Sequence, residues 1–297
     1  MIIAAIDIGS NAARLLINEV THYKDGSMDY TKLNLVRIPL RLGFEVFAQG
    51  AISKEKEKQV IATMKAFKLL LGIYKVEHYR ACATSAMRDA SNGKSIVEQV
   101  KKQTGIDIDI ISGAEEASIL YETHIAELLD HSQAYLYIDV GGGSTEVTLF
   151  AEQHIVFKES FNIGTIRLLQ DQITEAQWEH MKWTVKTHTR PLNNIATIGS
   201  GGNINKIFSL SKRKEGKPLS LELLKDYYKE LSSSNVEERM HLYDLRRDRA
   251  DVIVPALQLY TNLMRWARSE EIYVPKIGLA DGLIKMLYRE QSAILAK

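Results

Sequence analysis

Two short stretches carry the residue types for holding phosphate. Asp7-Ile8-Gly9-Ser10-Asn11 sits between two apolar runs, and Asp139-Val140-Gly141-Gly142-Gly143-Ser144 repeats the pattern 132 positions later, with Ile, Asp and Gly in register. Glycine lets backbone turn and approach a ligand. The N–H groups of Gly9, Ser10 and Asn11 are expected to form a concave donor cluster for a phosphate oxygen, and Asp7 to hold a metal through water. A single hairpin of this kind is ordinary. Two in register imply a duplicated domain, with each tip able to grip a different phosphate of one ligand.

Other chemistry-bearing residues lie at element ends. Arg88 follows the apolar run to Thr84, where strands deliver side chains to a site. Glu115 and Glu116 open a helix behind Ser112, and their spacing separates them. Ser112 and Glu115 fit a capping box, so Glu115 has a structural job. Glu116 has none, which leaves a catalytic carboxylate or a solvated first-turn glutamate favouring the helix dipole. A third glycine-rich tip, Gly199-Ser200-Gly201-Gly202-Asn203, precedes a helix and suits an anion, although position 204 lacks the glycine of the dinucleotide fingerprint.

These residues need strands and helices to position them. The expected strands include Ile2 to Ile17 as a hairpin, Met28 to Pro39, Val76 to Thr84, Ile106 to Ile111, Ala134 to Phe161 as paired strands, Ile195 to Ile198 and Glu271 to Val274. Between them fall helices. Ser53 caps one with Val60, Met64, Phe67 and Leu71 on a single face; Asn92 is read as the cap of another over Lys94 to Gln103, stopped by Gly105. A helix from Ser112 is expected to reach about Leu129, carrying His124 and His131 on one side, and one from Arg246 is expected to run to about Trp266. Arg41, Gly43 and Phe44 read as a loop.

Composition narrows the class. The 297 residues contain 45% hydrophobic residues, enough for two cores, and 38 Lys and Arg against 37 Asp and Glu give no global field for nucleic acid or membrane. Any polyanion site must be local. The one clearly basic stretch, Lys212 to Lys217, reads as a solvated loop or as a guide for a long polyanion. A single cysteine, Cys82, excludes an internal disulfide and suits a reducing cytoplasm, and no signal peptide or bilayer-length apolar run is recognisable. Motifs for metalloproteases, serine hydrolases and paired-cysteine metal sites are absent, and Asn92-Gly93-Lys94-Ser95 lacks the first glycine of a Walker loop.

Taken together the motifs resemble the exopolyphosphatase and guanosine pentaphosphate phosphohydrolase (Ppx/GppA) family, within the actin, sugar kinase and Hsp70 superfamily. The likeness rests on Asp7 to Asn11 with Arg14-Leu15, Thr84 to Arg88, Ile111 to Ala117, Asp139 to Glu146, Gly164-x-x-Arg167-Leu168, Gly199-x-Gly201-Gly202, Arg249-Ala250-Asp251 and Gly278-Leu279-x-x-Gly282. It implies an α/β fold of two ribonuclease-H-like lobes around an interdomain cleft, one of residues 1–125 plus about 281–297 and one of 126–280. Carried over, Glu116 is the general base and Arg88 faces phosphate. Gly9 to Asn11 and Gly141 to Ser144 match the two phosphate loops, to which the glycine-rich tip itself adds Gly201 and Gly202 as an anion site; Asp139, Asp7 and Glu146 match the positions that hold Mg²⁺.

The implied activity is release of terminal phosphate from inorganic polyphosphate, guanosine pentaphosphate or both by in-line attack of water, in a cytoplasmic protein without nucleic-acid or membrane partners and with a homodimer as one option. The alternatives are a non-catalytic polyphosphate or alarmone sensor and an ATP-dependent small-molecule kinase. Two departures stand out: Ala12 replaces the usual hydroxyl residue, and Ala280-Asp281 replaces an Arg-Glu pair. The sequence also lacks the additional helical domain of longer members, so it resembles the short form.

Overall fold

A computed structural model describes residues 1–23, 28–121, 133–152, 154–275 and 277–295. The chain divides into two compact units, Met1–Thr123 with Leu279–Lys297, and His124–Gly278.

The first unit begins with strands β1 (Ile2–Ile8), β2 (Ala13–His22) and β3 (Met28–Ile38), then α1 (Leu42–Gln49) and α2 (Lys54–Ile73). Next come β4 (His78–Ala83), α3 (Ser85–Asp89), α4 (Gly93–Thr104), β5 (Asp109–Ile110) and α5 (Gly113–Tyr121). The sheet order is β3-β2-β1-β4-β5, antiparallel through β1 and parallel from β1 to β5. A central strand must be apolar on both faces, which is why Ile3 to Ile6 are fully buried. Helix α2 buries Val60, Met64, Phe67 and Leu71 as its spacing requires, and Ser53 accepts the Lys56 N–H at its start.

The second unit contains β6 (Ala134–Val140), β7 (Thr145–Ala151), β8 (His154–Phe161), α6 (Thr165–Leu169), α7 (Glu175–Thr189), β9 (Ile195–Ser200) and α8 (Gly202–Leu210). It continues with β10 (Leu219–Ser220), α9 (Leu221–Ser232), α10 (Val236–Tyr243), α11 (Arg247–Ala250), α12 (Ile253–Ala267) and β11 (Glu271–Tyr273). The final helix, α13 (Leu279–Leu295), returns to the first unit. The second sheet, β10-β11-β9-β6-β7-β8, repeats the first, with β6, β7, β8, β9 and β11 in the places of β1 to β5. The repeat bears out the duplication read from the hairpins, and the sheets are the two ribonuclease-H-like ones that the family resemblance implies.

Several local expectations need correction. Arg41, Gly43 and Phe44 belong to the start of α1, whose N-terminal donors are satisfied by the first hairpin: Arg41 N–H bonds Asn11 O at 2.9 Å and Gly43 N–H bonds Ser10 O at 2.8 Å. Asn92 stands at the N-cap position of α4, but its side chain makes no capping bond and instead bonds both the N–H and the carbonyl of Ile52, at 3.0 and 2.8 Å. The strand expected over Ile106 to Ile111 shrinks to Asp109–Ile110, and the helix expected from Arg246 is two helices separated at Asp251 and Val252. Proline at 255 cannot donate a helical hydrogen bond, so it sits in the first turn of α12. The continuation from Tyr121 to Leu129, with His124 and His131, lies outside the described residues.

Candidate functional site

Within the first unit, Asp7 ends β1 opposite Arg14 of β2, and Arg14 Nη1 donates to Asp7 Oδ2 at 2.8 Å. Burial pushes the Asp7 carboxyl above its ordinary 3.8, and the Arg14 charge and hydrogen bond pull it back. The tip differs from the expected three-donor cluster because Gly9 N–H closes the turn onto Ala12 O at 3.0 Å. Ser10 is buried, with its hydroxyl 2.8 Å from that of Ser85, the first residue of α3.

Helix α3 carries Arg88 toward α5. Arg88 Nη1 donates to Ile111 O at 2.8 Å and lies 4.0 Å from Glu116 Oε2. The capping box is present: Ser112 N–H donates to Glu115 Oε2 at 2.8 Å, and Glu115 N–H donates to Ser112 Oγ at 3.2 Å. Those bonds from Ser112 hold the Glu115 carboxyl below its ordinary range. Glu116 is only 9% exposed, so it is not a solvated first-turn glutamate. Helix α13 crosses α5 where Gly282 approaches Ile119, so closely that a Cβ at 282 would stand 2.2 Å from the Ile119 carbonyl oxygen. Ala280 is buried there, and the Asp281 carboxylate is 3.9 Å from Lys32.

The second unit repeats the turn, with Gly141 N–H bonding Ser144 O at 2.9 Å. Its carbonyls point at α6: Gly141 O accepts Thr165 N–H at 3.0 Å, Gly142 O accepts Ile166 N–H at 2.8 Å, and Gly143 O accepts Arg167 Nε at 2.8 Å. A planar trans peptide directs its N–H away from its carbonyl. Among the described residues no backbone hydrogen bond is donated by Gly142 or Gly143, and their N–H groups point away from α6, the arrangement that suits an anion. Gly164 is required for the close approach, since a Cβ would lie 2.4 Å from Gly142 O.

Asp139 ends β6 opposite Glu146 of β7 and beside Ser200 of β9. Glu146 is buried and accepts the Ser160 hydroxyl at 2.7 Å. Gly201, with φ of 110°, holds the third tip against Asp139: a Cβ there would be 3.0 Å from Asp139 Oδ1. The Gly202 carbonyl accepts Arg249 Nη1, and the Ser200 carbonyl accepts the Tyr260 hydroxyl. Burial, followed by the neighbouring Asp139 charge, pushes the Tyr260 phenol well above its ordinary value.

The second unit therefore gathers Asp139, Glu146, Gly141 to Ser144, Gly201 and Gly202; the first gathers Asp7, Gly9 to Asn11, Arg88 and Glu116. The sequence reading gave no role to Ser85 or Tyr260 and no partner to Arg14, although counting across the hairpin turn sets Arg14 opposite Asp7. The basic stretch Lys212 to Lys217 follows the far end of α8, whose nine residues span about 13 Å from Gly202. Among the described residues no group of three carboxylate, histidine or cysteine side chains forms a metal cluster, and no helix is long and apolar enough to cross a membrane. Asp139 and Glu146 supply two hard oxygen donors on facing strands, which fits Mg²⁺, an ion commonly held by one or two carboxylates together with substrate phosphates.

Comparison with known proteins places this geometry in context. The sequence model of the Ppx/GppA phosphatase family matches residues 23–290. A bifunctional 3-dehydroquinate synthase/phosphatase of Fusobacterium nucleatum is 34% identical over 174 residues, covering 56% of this chain and 26% of that protein. Exopolyphosphatase 2 of Mycobacterium tuberculosis is 32% identical over 173 residues, covering 57% of this chain and 54% of the relative. The matched stretches thus span about half or less of these curated relatives. Among solved structures, an exopolyphosphatase from Cytophaga hutchinsonii superposes with a TM-score of 0.83 at 25% identity, over 97% of this chain and 98% of that one.

Proposed function

The chain belongs to the Ppx/GppA phosphatase family, and from that premise we propose that it releases terminal phosphate from inorganic polyphosphate, guanosine pentaphosphate or both by in-line attack of water. The observation that carries this reading is a buried glutamate, Glu116, with the Arg88 guanidinium 4.0 Å away on a neighbouring helix. A carboxylate withdrawn from bulk solvent, on the helix turn fixed by the Ser112–Glu115 box, is suited to orient one water and take its proton. Arg88 is suited to offset charge on the transferred group. Gly142 and Gly143 N–H groups and the start of α8 serve as phosphate donors.

Asp139 and Glu146 are the residues that would hold Mg²⁺, which when bound neutralises charge on phosphate oxygens. Asp7, the third member of the expected set, already has one oxygen engaged by Arg14. The sole cysteine, Cys82, is buried and its thiol is pushed up to about 12, chiefly by burial, so it takes no part in the chemistry.

Phosphate release with Mg²⁺ from long-chain polyphosphate, guanosine pentaphosphate and ATP, measured for the native protein and Glu116→Gln, tests the reading. Glu116-dependent release from either of the first two supports it; binding without release from any substrate reverses it in favour of a sensor, and phosphate transfer from ATP to an acceptor in favour of a kinase.

A further inference from the structure

Across the second sheet, β9, β6, β7 and β8 set Ser200, Asp139, Glu146 and Ser160 side by side in register. Residues paired directly across neighbouring strands project on the same face, so the four side chains form one row, with the strands about 4.8 Å apart. Two carboxylates stand in the middle and a hydroxyl at each end. At one end Ser160 donates to Glu146 Oε1 at 2.7 Å. At the other, Ser200 is fully buried, and among the described residues its Oγ has no hydrogen-bond partner. A buried hydroxyl left unsatisfied costs stability, which makes it the exception in a folded chain. Thr197, three residues earlier on the same strand, shows the usual arrangement, donating to Ser269 Oγ at 2.8 Å.

We propose that Ser200 is a positioning residue of the cation site, its hydroxyl donating to the oxygen ligands around the cation as Ser160 donates to Glu146. The role rests on the reading in which Asp139 and Glu146 hold Mg²⁺. Two further contacts place the hydroxyl for it. A Cβ on Gly201, the next residue, would lie 3.0 Å from Asp139 Oδ1, so that carboxylate reaches the end of β9. The Tyr260 hydroxyl donates to the Ser200 carbonyl and fixes the backbone from which the side chain projects. A serine hydroxyl has one hydrogen to donate and can accept as well, which suits either a carboxylate oxygen or a water kept by the cation. Partners of this kind orient the ligands that touch a metal and set its affinity without being ligands themselves.

The test titrates the intact protein with Mn²⁺, which shares the preference of Mg²⁺ for carboxylate and water oxygen, and counts the free ion by electron paramagnetic resonance. Melting is followed without metal. Ser200→Ala should weaken Mn²⁺ about tenfold and raise the Mg²⁺ concentration for half-maximal phosphate release by a similar factor. Its metal-free melting temperature should stay at or above that of the native protein, because no internal hydrogen bond is lost. Thr197→Val should do the reverse, lowering the melting temperature through the lost bond to Ser269 and leaving Mn²⁺ binding native. Native Mn²⁺ affinity in Ser200→Ala overturns the role. So does a metal-free melting temperature lowered as far as in Thr197→Val, since the hydroxyl would then serve the fold. No Mn²⁺ binding by the native protein removes the cation site and the role together. Mn²⁺ binding weakened by Ser200→Ala, in a protein that releases no phosphate from polyphosphate or guanosine pentaphosphate, upholds the role and overturns the phosphohydrolase.

Discussion

Arg14 and Glu146 occupy the same register position in the two hairpins, one opposite Asp7 and the other opposite Asp139. One copy has closed its carboxylate with a guanidinium; the other faces it with a second carboxylate. Two buried or half-buried anions on facing strands repel unless a cation joins them. Asp139→Asn and Glu146→Gln should each raise the Mg²⁺ concentration needed for half-maximal phosphate release at least about tenfold. An unchanged metal titration for both variants would remove them as ligands.

The Asp7–Arg14 pair makes a pH-dependent prediction for stability. Because the folded value of Asp7 lies above its ordinary 3.8, ionising it subtracts stability as pH rises through that value to the folded one. Arg14 limits the loss. Arg14→Met should therefore lie nearest the native protein at about pH 4 and fall behind toward about pH 7. The expected cost at the upper end is about 1–3 kcal/mol, less than for a fully buried pair because the Arg14 side chain is 34% exposed. Melting temperatures at the two pH values decide it; a gap that narrows with rising pH contradicts it.

Neighbouring glutamates should respond oppositely to one chemical change. Glutamine still serves a capping box, so Glu115→Gln should leave turnover and melting close to native. Glu116→Gln removes the proposed base and should lower kcat about 100- to 10,000-fold with the fold intact. Circular dichroism and phosphate release on both variants check this, and full activity of Glu116→Gln would dismiss it as the base.

Gly164 tests the backing of the second phosphate loop. A methyl group there meets the Gly142 carbonyl and the Gly143 backbone, so Gly164→Ala should push the loop away from α6. The expected destabilisation is about 1–3 kcal/mol, with a raised KM for phosphate substrates. A native KM and melting curve would show that the loop does not depend on this contact.

The hairpins, the capping box and the apolar face of α2 were legible because each is specified by a few adjacent residues or one period. What escaped depends on partners distant in sequence. Helix α1 has no side-chain cap and starts from Arg41 in left-handed conformation, because its first N–H groups are met by Ser10 and Asn11 carbonyls. Asn92 looks like a cap locally, yet Ile52 takes both ends of its amide. Glu116 could be separated from Glu115 by spacing, but its burial depends on long-range packing. The relation of Gly201 to Asp139 likewise needed β6 and β9 to be paired before it could be seen.

The return of α13 to the first unit sets an order of assembly. Residues 124–278 form one continuous unit that can close while the chain is still being made, whereas the first unit is interrupted by it. Until Gly282 has emerged and settled over Ile119, α5 lacks the neighbour that covers it. The helix bearing Glu116 is thus completed only by a segment that follows the whole of the second unit in the chain.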